Sequence, residues 1–214
     1  MHTYIPLLAL SLVTHVARAD NEQDKCWTSV HKAAAAGDEK RMAKILAKDR
    51  FRADVEDKCG SAVRPLMLAA HGGHIGVVKL LLDAGASADI AHGGNGVTPL
   101  MAAAAGGDAK MVKLLLGAHA SINRAEARNW TALSFASQQG TEEVVRALLE
   151  AGADPAWVTG AGCTPYMLAK DVATSAGSDT VEETAQRDSA LAKLALLEKA
   201  DSASASDSTL WLHG

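Results

Sequence analysis

Apolar residues in this chain recur in short blocks separated by glycine and polar residues. An alanine-rich run such as Leu100–Ala105 follows a Thr-Pro pair and ends at a glycine. A second, leucine-rich run comes next, and in one copy Val77, Val78, Leu81 and Leu82 are spaced to face one side of a helix. The pattern therefore predicts pairs of short helices, an inner alanine-rich helix and an outer leucine-rich helix.

These blocks repeat at a nearly constant interval. The segment Thr98-Pro99-Leu100-Met101 has counterparts at Thr28-Ser29-Val30-His31, Arg64-Pro65-Leu66-Met67, Thr131-Ala132-Leu133-Ser134 and Thr164-Pro165-Tyr166-Met167. Each start follows the previous one by 36, 34, 33 and 33 positions in turn. A fixed period of about 33 residues is typical of a stacked array, in which each unit contacts only its neighbours.

Residues at the block boundaries indicate where the helices begin and end. Proline opens three inner helices, because the first turn needs no amide donor: Pro65, Pro99 and Pro165. We expect the left-handed backbone conformation at the glycines that end the inner helices: Gly73, Gly107 and Gly140. Gly85 and Gly152 end outer helices, and His119 takes the equivalent place in the third unit at some cost in strain.

The aligned units resemble a known repeat. Nine residues after each start comes a glycine, and an apolar pair follows, as in Ile45-Leu46, Leu81-Leu82, Leu115-Leu116 and Leu148-Leu149. This pattern resembles the ankyrin repeat, whose signature includes T-P-L-H-x-A, over roughly residues 24 to 175. The resemblance implies an all-α, ankyrin-type solenoid of about five helix-pair repeats with short hairpin-like loops and a C-terminal capping helix.

The two ends of the array depart from the pattern. The first unit lacks the Leu-His chemistry at Ser29-Val30, and we interpret it as a cap. A last helix is predicted over Val181 to Lys199, with Thr180 and Glu183 as a capping box. The expected organisation is a signal peptide (1–19), an N-terminal capping repeat (24–63), three repeats (64–97, 98–130 and 131–163), a degenerate C-terminal repeat with its capping helix (164–200) and a disordered tail (201–214).

The beginning of the chain has the pattern of a secretory signal. The apolar run from Ile5 to Val16 is too short to span a bilayer, and Ala17-Arg18-Ala19 supplies a signal-peptidase site. The alternatives are an uncleaved anchor or a chance apolar start, in which case the protein is an intracellular adaptor. Cleavage after Ala19 would place the protein outside the cell, in a secretory lumen or, in a bacterium, in the periplasm, without membrane insertion.

Composition narrows the partner class. The chain has a net charge of −4 and only 4% aromatic residues, and loss of Arg18 on cleavage leaves 20 basic and 25 acidic side chains, a net charge of −5. A nucleic-acid-binding domain is ordinarily basic, so we expect no nucleic-acid partner. The array surface favours a protein partner over a small substrate, and we expect a monomer.

Three cysteines are an odd number for a secreted chain. Cys26 precedes the first unit and Cys59 precedes the second, and adjacent loops of a solenoid lie side by side. We predict a Cys26–Cys59 disulfide that would stabilise the N-terminal cap by about 3–4 kcal/mol. The alternative is two free thiols in a reducing compartment. Cys163 is then unpaired. Because no histidine-aspartate pair lies near it in sequence, we do not expect a catalytic thiol.

Other candidate sites have simple structural explanations. His71, His74 and His92 suggest a metal site, but His71 and His74 lie on either side of Gly72-Gly73, where we expect a helix to end. The two would then not share one helical face, and we expect no metal. Gly93-Gly94-Asn95-Gly96 lacks a following Lys-Ser and is interpreted as a hairpin tip rather than a phosphate loop. We expect no catalytic residues and no cofactor. Asn129-Trp130-Thr131 is a glycosylation sequon, usable only in a glycosylating secretory pathway.

The ankyrin resemblance also implies where a partner binds. In such arrays the recognition surface is usually the concave side, formed by loop tips and inner helices. The tip residues that precede each repeat start are Trp27, Val63, Val97, Trp130 and Cys163, and His71, Gln138 and Gln139 lie at the ends of inner helices. We expect partner contacts from Trp27, Val63, His71, Val97, Trp130, Gln138 and Gln139, with the tryptophans as anchors. The alternative is that both tryptophans pack against neighbouring loops.

These observations predict a secreted or secretory-pathway ankyrin-repeat module that binds a protein partner through its concave face without catalysis. An enzyme would need converging acid, base or nucleophilic groups in a pocket, which one-dimensional stacks rarely form. The sequence does not distinguish a resident protein from an exported one or from an effector delivered to another cell.

Overall fold

The computed structural model describes residues 28–48, 53–56, 63–91, 93–176 and 181–208. In these ranges the regular structure consists of ten α-helices and short 3-10 turns, with no β-strand. The all-α prediction is therefore confirmed. The chain divides into two compact units, Met1–Gly93 and Gly94–Gly214.

The first unit contains two helix pairs. The four helices are α1 (Ser29–Ala35), α2 (Glu39–Lys48), α3 (Pro65–His71) and α4 (Ile75–Asp83). The inner helices α1 and α3 pack on each other, the outer helices α2 and α4 do the same, and each inner helix packs on its own outer helix. This arrangement is the side-by-side stacking that the repeat interval predicts.

The second unit contains three helix pairs. Its helices are α5 (Pro99–Ala105), α6 (Ala109–Gly117), α7 (Ala132–Gln139), α8 (Glu142–Glu150), α9 (Pro165–Ser175) and α10 (Val181–Ser208). The inner helices stack in the order α5, α7, α9, and the outer helices stack in the order α6, α8, α10. Each outer helix of the first four repeats buries one leucine completely or nearly so: Leu46, Leu81, Leu115 and Leu148. The partner residue of each predicted apolar pair is only half-buried.

Threonine and proline begin the inner helices as the sequence predicts. Proline occupies the first turn of α3, α5 and α9. The hydroxyl groups of Thr98, Thr131 and Thr164 each accept a hydrogen bond from the backbone amide three residues on, at 3.3 Å. These side chains satisfy amide groups that the first helical turn leaves without a partner.

The glycines after the inner helices do not all have the same role. Gly73 and Gly107 adopt φ of +70° and +73°, which confirms the left-handed prediction, whereas Gly140 is extended with φ of −74°. A Cβ atom at Gly140 would lie 2.6 Å from the carbonyl oxygen of Ala104. The predicted left-handed conformation of Gly140 was therefore wrong. This glycine is required by close packing between repeats and not by its backbone angle.

The ends of the outer helices follow the prediction. Gly85 and Gly152 have φ of +91° and +89°, and His119 adopts φ of +62° in the equivalent place. Thr141 begins α8, but its hydroxyl donates to the carbonyl of Gly107 at 3.4 Å and does not cap the helix. The loop predicted as a hairpin tip contains a 3-10 turn at Gly93–Asn95.

His31 corrects our interpretation of the first unit. The sequence comparison treats this unit as lacking the Leu-His chemistry, yet His31 is completely buried and links two repeats. Its Nε2 atom lies 2.9 Å from the carbonyl oxygen of Val63, and its Nδ1 atom lies 2.7 Å from the Thr28 hydroxyl. Because a carbonyl only accepts, Nε2 must carry a proton and donates to Val63.

The last helix is longer than predicted. It begins at Val181 as expected but continues to Ser208, nine residues beyond Lys199. The intervening alanine, serine and aspartate residues include no proline or glycine that would end a helix. The proposed cap residue Thr180, the signal peptide and residues 209–214 of the predicted tail lie outside the described residues.

Candidate functional site

The loop tips of the second unit form a row in which equivalent backbone atoms are linked from one repeat to the next. The Ala127 amide donates to the Asn95 carbonyl at 2.9 Å, and the Gly160 amide donates to the Arg128 carbonyl at 2.8 Å. Residues 95 and 128, like residues 127 and 160, are 33 positions apart. The same hydrogen bond is thus repeated with the period of the sequence, and it holds successive tips in register.

Side chains add further links between the last two tips. The Asn129 side-chain amide donates to the Val158 carbonyl at 2.7 Å, and the Trp157 indole donates to the Asn129 carbonyl at 3.0 Å. Asn129 adopts φ of +62°, a conformation that asparagine tolerates better than most residues. These contacts fix the tip before the fourth repeat against the tip before the fifth.

Trp130 lies beneath this row and not at its surface. Its side chain is only 9% exposed, and its ring packs against Phe135 with centroids 5.2 Å apart. The Arg128 guanidinium lies 5.9 Å from the centroid of the indole. This geometry supports a packing role for Trp130, against the inner helix α7 that follows it.

Glu126 is a tip residue that the sequence analysis did not single out. Its carboxylate is almost completely buried, accepts a hydrogen bond from the Arg128 amide at 3.0 Å, and lies 3.5 Å from Nε of the Arg128 guanidinium. The Glu126 amide in turn donates to the Trp130 carbonyl. A Glu-x-Arg-x-Trp order before the repeat start is the only sequence signal for this arrangement.

The other predicted tip residues differ in accessibility. Val97 is 3% exposed, whereas Val63 and Cys163 are half-buried. At the tip before the fifth repeat, Val158 exposes its apolar side chain, at 49%. Trp27, a predicted anchor, lies outside the described residues.

The predicted contacts at the inner-helix ends remain accessible in part. His71, Gln138 and Gln139 are each half-buried. The Gln139 side-chain amide donates to the Gln138 side-chain carbonyl at 3.1 Å, which orders this polar pair at the end of α7. Burial lowers the pKa of His71, so its imidazole is more readily neutral than a free histidine.

The sequon residues are engaged in folded structure. The Asn129 nitrogen that would carry a glycan donates to Val158, and Thr131 is buried and caps α7. A glycan at Asn129 would have to displace the contact with the neighbouring tip. Glycosylation at Asn129 stays a prediction. The folded structure favours attachment of the glycan before this tip has folded.

His74 is a packing residue between glycines. Its Nε2 atom lies 3.1 Å from the Ala35 carbonyl, and a Cβ atom at Gly37 or Gly72 would approach the imidazole to 2.5 or 2.6 Å. In the part of the chain that the structure describes, no group of three or more histidine, cysteine, aspartate or glutamate residues is arranged to hold a metal ion. His92 lies outside that part.

Cys163 carries a free, half-buried thiol, and its amide donates to the Thr159 hydroxyl at 3.1 Å. Its neighbours are backbone and hydroxyl groups of the same tip. Cys26 and Cys59 lie outside the described residues, so their disulfide stays a prediction. Among the helices of the described ranges, none is both long and apolar enough to cross a bilayer.

Comparison with known proteins gives one family. A family model described as ankyrin repeats in three copies matches residues 6–92 and 66–157, which together cover more than two-thirds of the chain. The first match begins inside the segment that the sequence predicts as a signal peptide. No curated protein matches the chain.

Proposed function

Because the chain belongs to the ankyrin-repeat family, we propose that it is a secreted, non-catalytic module that binds a protein partner through its loop tips and inner-helix ends. Ankyrin repeats act as protein-binding modules, and an array of tips presents a long surface and not an enclosed reaction site. The single observation that carries the proposal is the row of hydrogen-bonded tips from Asn95 to Gly160. A surface held rigid before binding loses little conformational entropy when a partner docks.

The proposed contact surface in the second unit comprises Arg128, Asn129 and Val158 at the tips, with Gln138 and Gln139 at the end of α7. Their side chains combine an exposed apolar group, a cation and amides, a mixture typical of a protein interface. Trp130 would support this surface from below. In the first unit, Val63 and His71 are the corresponding candidates.

Affinity capture with the mature chain, residues 20–214, would identify the partner, and variants would locate its site. We expect Val158→Asp or the double change Gln138→Ala/Gln139→Ala to weaken binding at least about tenfold. Lys110→Ala on the exposed face of outer helix α6 is the matched control and should bind as the wild type does. Equal losses from the tip and outer-helix variants would contradict the proposed surface, and enzymatic turnover without any protein partner would contradict the proposed function.

Secretion is supported by the apolar run and the Ala17-Arg18-Ala19 cleavage pattern. N-terminal sequencing of the protein from its natural source should begin at Asp20. A chain that retains residues 1–19 in the cell interior would favour the alternative, an intracellular ankyrin adaptor. The predicted Cys26–Cys59 disulfide gives a second check, since it requires an oxidising compartment.

A further inference from the structure

The tip before the third repeat contains an Asn-Gly pair, Asn95-Gly96, which is not part of the proposed contact surface. Asn95 is the last residue of the 3-10 turn Gly93–Asn95, and no residue of this turn is buried. Among the described residues, none hydrogen-bonds to the side-chain amide of Asn95, which is itself exposed. This side chain can therefore rotate towards the backbone that follows it.

The other two asparagines that the structure describes are held by a neighbouring tip. The Asn123 side-chain carbonyl accepts from the Asp154 amide at 3.0 Å, and the Asn129 side-chain amide donates to the Val158 carbonyl at 2.7 Å. Each of the two also precedes a large side chain, an arginine or a tryptophan. Asn95 differs from both, because its side chain is unbonded and a glycine follows it.

The backbone conformation at position 96 requires this glycine. Gly96 has φ of +74°, and a Cβ atom there would come no closer than 3.6 Å to the nearest atom, the Glu126 Cα. A side chain would fit the space but would be strained at this angle. Because position 96 needs a glycine, the amide nitrogen after Asn95 has no side chain beside it to hinder a reaction.

We propose that Asn95 deamidates spontaneously through the Gly96 nitrogen, and that the isoaspartyl product weakens the hydrogen bond between this tip and the tip before the fourth repeat. The reaction uses only atoms of this chain and water. It therefore goes beyond the proposed function and does not depend on a partner.

The reaction begins with attack of the Gly96 nitrogen on Cγ of Asn95. A C–N bond forms as the bond from Cγ to the side-chain nitrogen breaks, and that nitrogen leaves as ammonia with the amide proton of Gly96. Water then opens the cyclic succinimide at either of its two carbonyl carbons, so residue 95 becomes aspartate or isoaspartate. Proximity favours the attack, because both atoms belong to adjacent residues.

The folded tip permits this attack. A short 3-10 turn has poor hydrogen-bond geometry, and a segment without buried side chains opens locally at little cost in free energy. Because the Gly93–Asn95 turn has both properties, local opening lets the Gly96 nitrogen reach the side chain of Asn95 without unfolding of the repeat.

The isoaspartyl product alters the main chain. The Asn95 carbonyl accepts from the Ala127 amide at 2.9 Å and so forms the first link in the row of tips. In isoaspartate the main chain runs through Cγ and is longer by one methylene group. The oxygen that accepts from Ala127 then belongs to a carboxylate that the peptide plane no longer orients, so this link should weaken.

Ageing of the mature chain in neutral buffer at physiological temperature tests the site. Trypsin places the three described asparagines on separate peptides, residues 80–110, 114–124 and 129–146, and mass spectrometry detects the mass gained when an amide becomes an acid. We expect the peptide with Asn95 to convert at least about tenfold faster than the other two. Asn95→Gln keeps a side-chain amide but must close a larger ring, and its peptide should stay unmodified over the same period.

Hydrogen exchange of the aged chain tests the structural consequence. Anion exchange isolates the deamidated fractions, and electron-transfer fragmentation identifies the isoaspartyl one. Asn95→Asp is the matched control, because it carries the same added charge on an unaltered main chain. We expect the Ala127 amide to exchange at least about tenfold faster in the isoaspartyl fraction than in Asn95→Asp. The Gly160 amide, which makes the equivalent link to Arg128, should exchange equally in both.

Two results would overturn the assignment of the site: equal conversion of the three peptides, or an unmodified Asn95 in the folded chain after a period in which the same chain in urea converts. Equal exchange of the Ala127 amide in the isoaspartyl fraction and in Asn95→Asp would overturn the proposed effect on the row of tips. Both measurements are made without a partner, so their outcome is independent of the proposed function.

Discussion

Lys193 of α10 donates a hydrogen bond from its ammonium group to the backbone carbonyl of Gly140, over 3.2 Å. The lysine side chain is only 3% exposed, although it is charged, and Gly140 belongs to the preceding repeat. The absence of a Cβ at Gly140 leaves room for the Ala104 carbonyl oxygen, which would lie 2.6 Å from such an atom. One glycine therefore accommodates contacts from two neighbouring repeats.

Burial of Lys193 predicts a characteristic dependence of stability on pH. Desolvation lowers the pKa of Lys193 below its usual value near 10.5, so the unfolded chain binds this proton more tightly than the folded chain does. Between the lowered folded pKa and the unfolded pKa, the contribution of Lys193 to the free energy of unfolding therefore rises with pH. Urea unfolding of the wild type and of Lys193→Met, from neutral pH up to the usual lysine pKa, isolates this contribution.

We expect the difference in stability, wild type minus Lys193→Met, to increase as the pH rises through that window. Methionine has a similar volume and does not titrate, so it serves as the matched substitution. Other ionisable groups, including Tyr166 with its raised pKa, are present in both proteins and cancel in the difference. A pH-independent difference would mean that the ammonium is adequately solvated in the folded protein.

Two buried serines in helix α7 should respond in opposite directions to alanine substitution. The Ser137 hydroxyl is buried without a hydrogen-bond partner, so Ser137→Ala should raise the free energy of unfolding by about 1 kcal/mol. The Ser134 hydroxyl accepts from the Thr131 amide at 3.4 Å, so Ser134→Ala should lower it by about 1–2 kcal/mol. Both can be measured by urea denaturation, and the same sign for both changes would contradict this assignment.

Substitutions at two glycines should distinguish close packing from helix propensity. A Cβ at Gly140 would lie 2.6 Å from the Ala104 carbonyl oxygen and 2.8 Å from the Ala136 Cα, so Gly140→Ala should destabilise by about 1–3 kcal/mol. Gly117 ends α6 with open space around it, and Gly117→Ala should stabilise by about 0.5–1 kcal/mol. Thermal unfolding of both variants is sufficient, and a stable Gly140→Ala protein would require the two repeats to separate.

The period of the sequence was sufficient to predict the helix pairs, because proline, threonine and glycine act locally at helix ends. Contacts that depend on the next repeat were harder to predict. Gly140 looks like Gly107 in sequence but has a different backbone conformation. His31 departs from the other units at its position, yet its link to the Val63 carbonyl joins two repeats and depends on how the units stack. The same holds for the candidate site. The alignment of the repeats gave the positions of the tip residues, but the burial of those residues depends on packing between repeats and could not be predicted.

A substitution at Trp130 tests whether this residue packs within the fold or binds the partner. If Trp130 were an anchor for the partner, Trp130→Ala would weaken partner binding without altering the fold. With its ring against Phe135 and 9% exposure, we now expect the change to lower the free energy of unfolding by about 3–5 kcal/mol, as for other buried aromatic residues. Val158→Ala at the exposed tip is the control and should change stability by less than about 0.5 kcal/mol. Urea denaturation and partner binding measured on both variants separate the roles: wild-type stability with lost binding in Trp130→Ala would restore the anchor hypothesis.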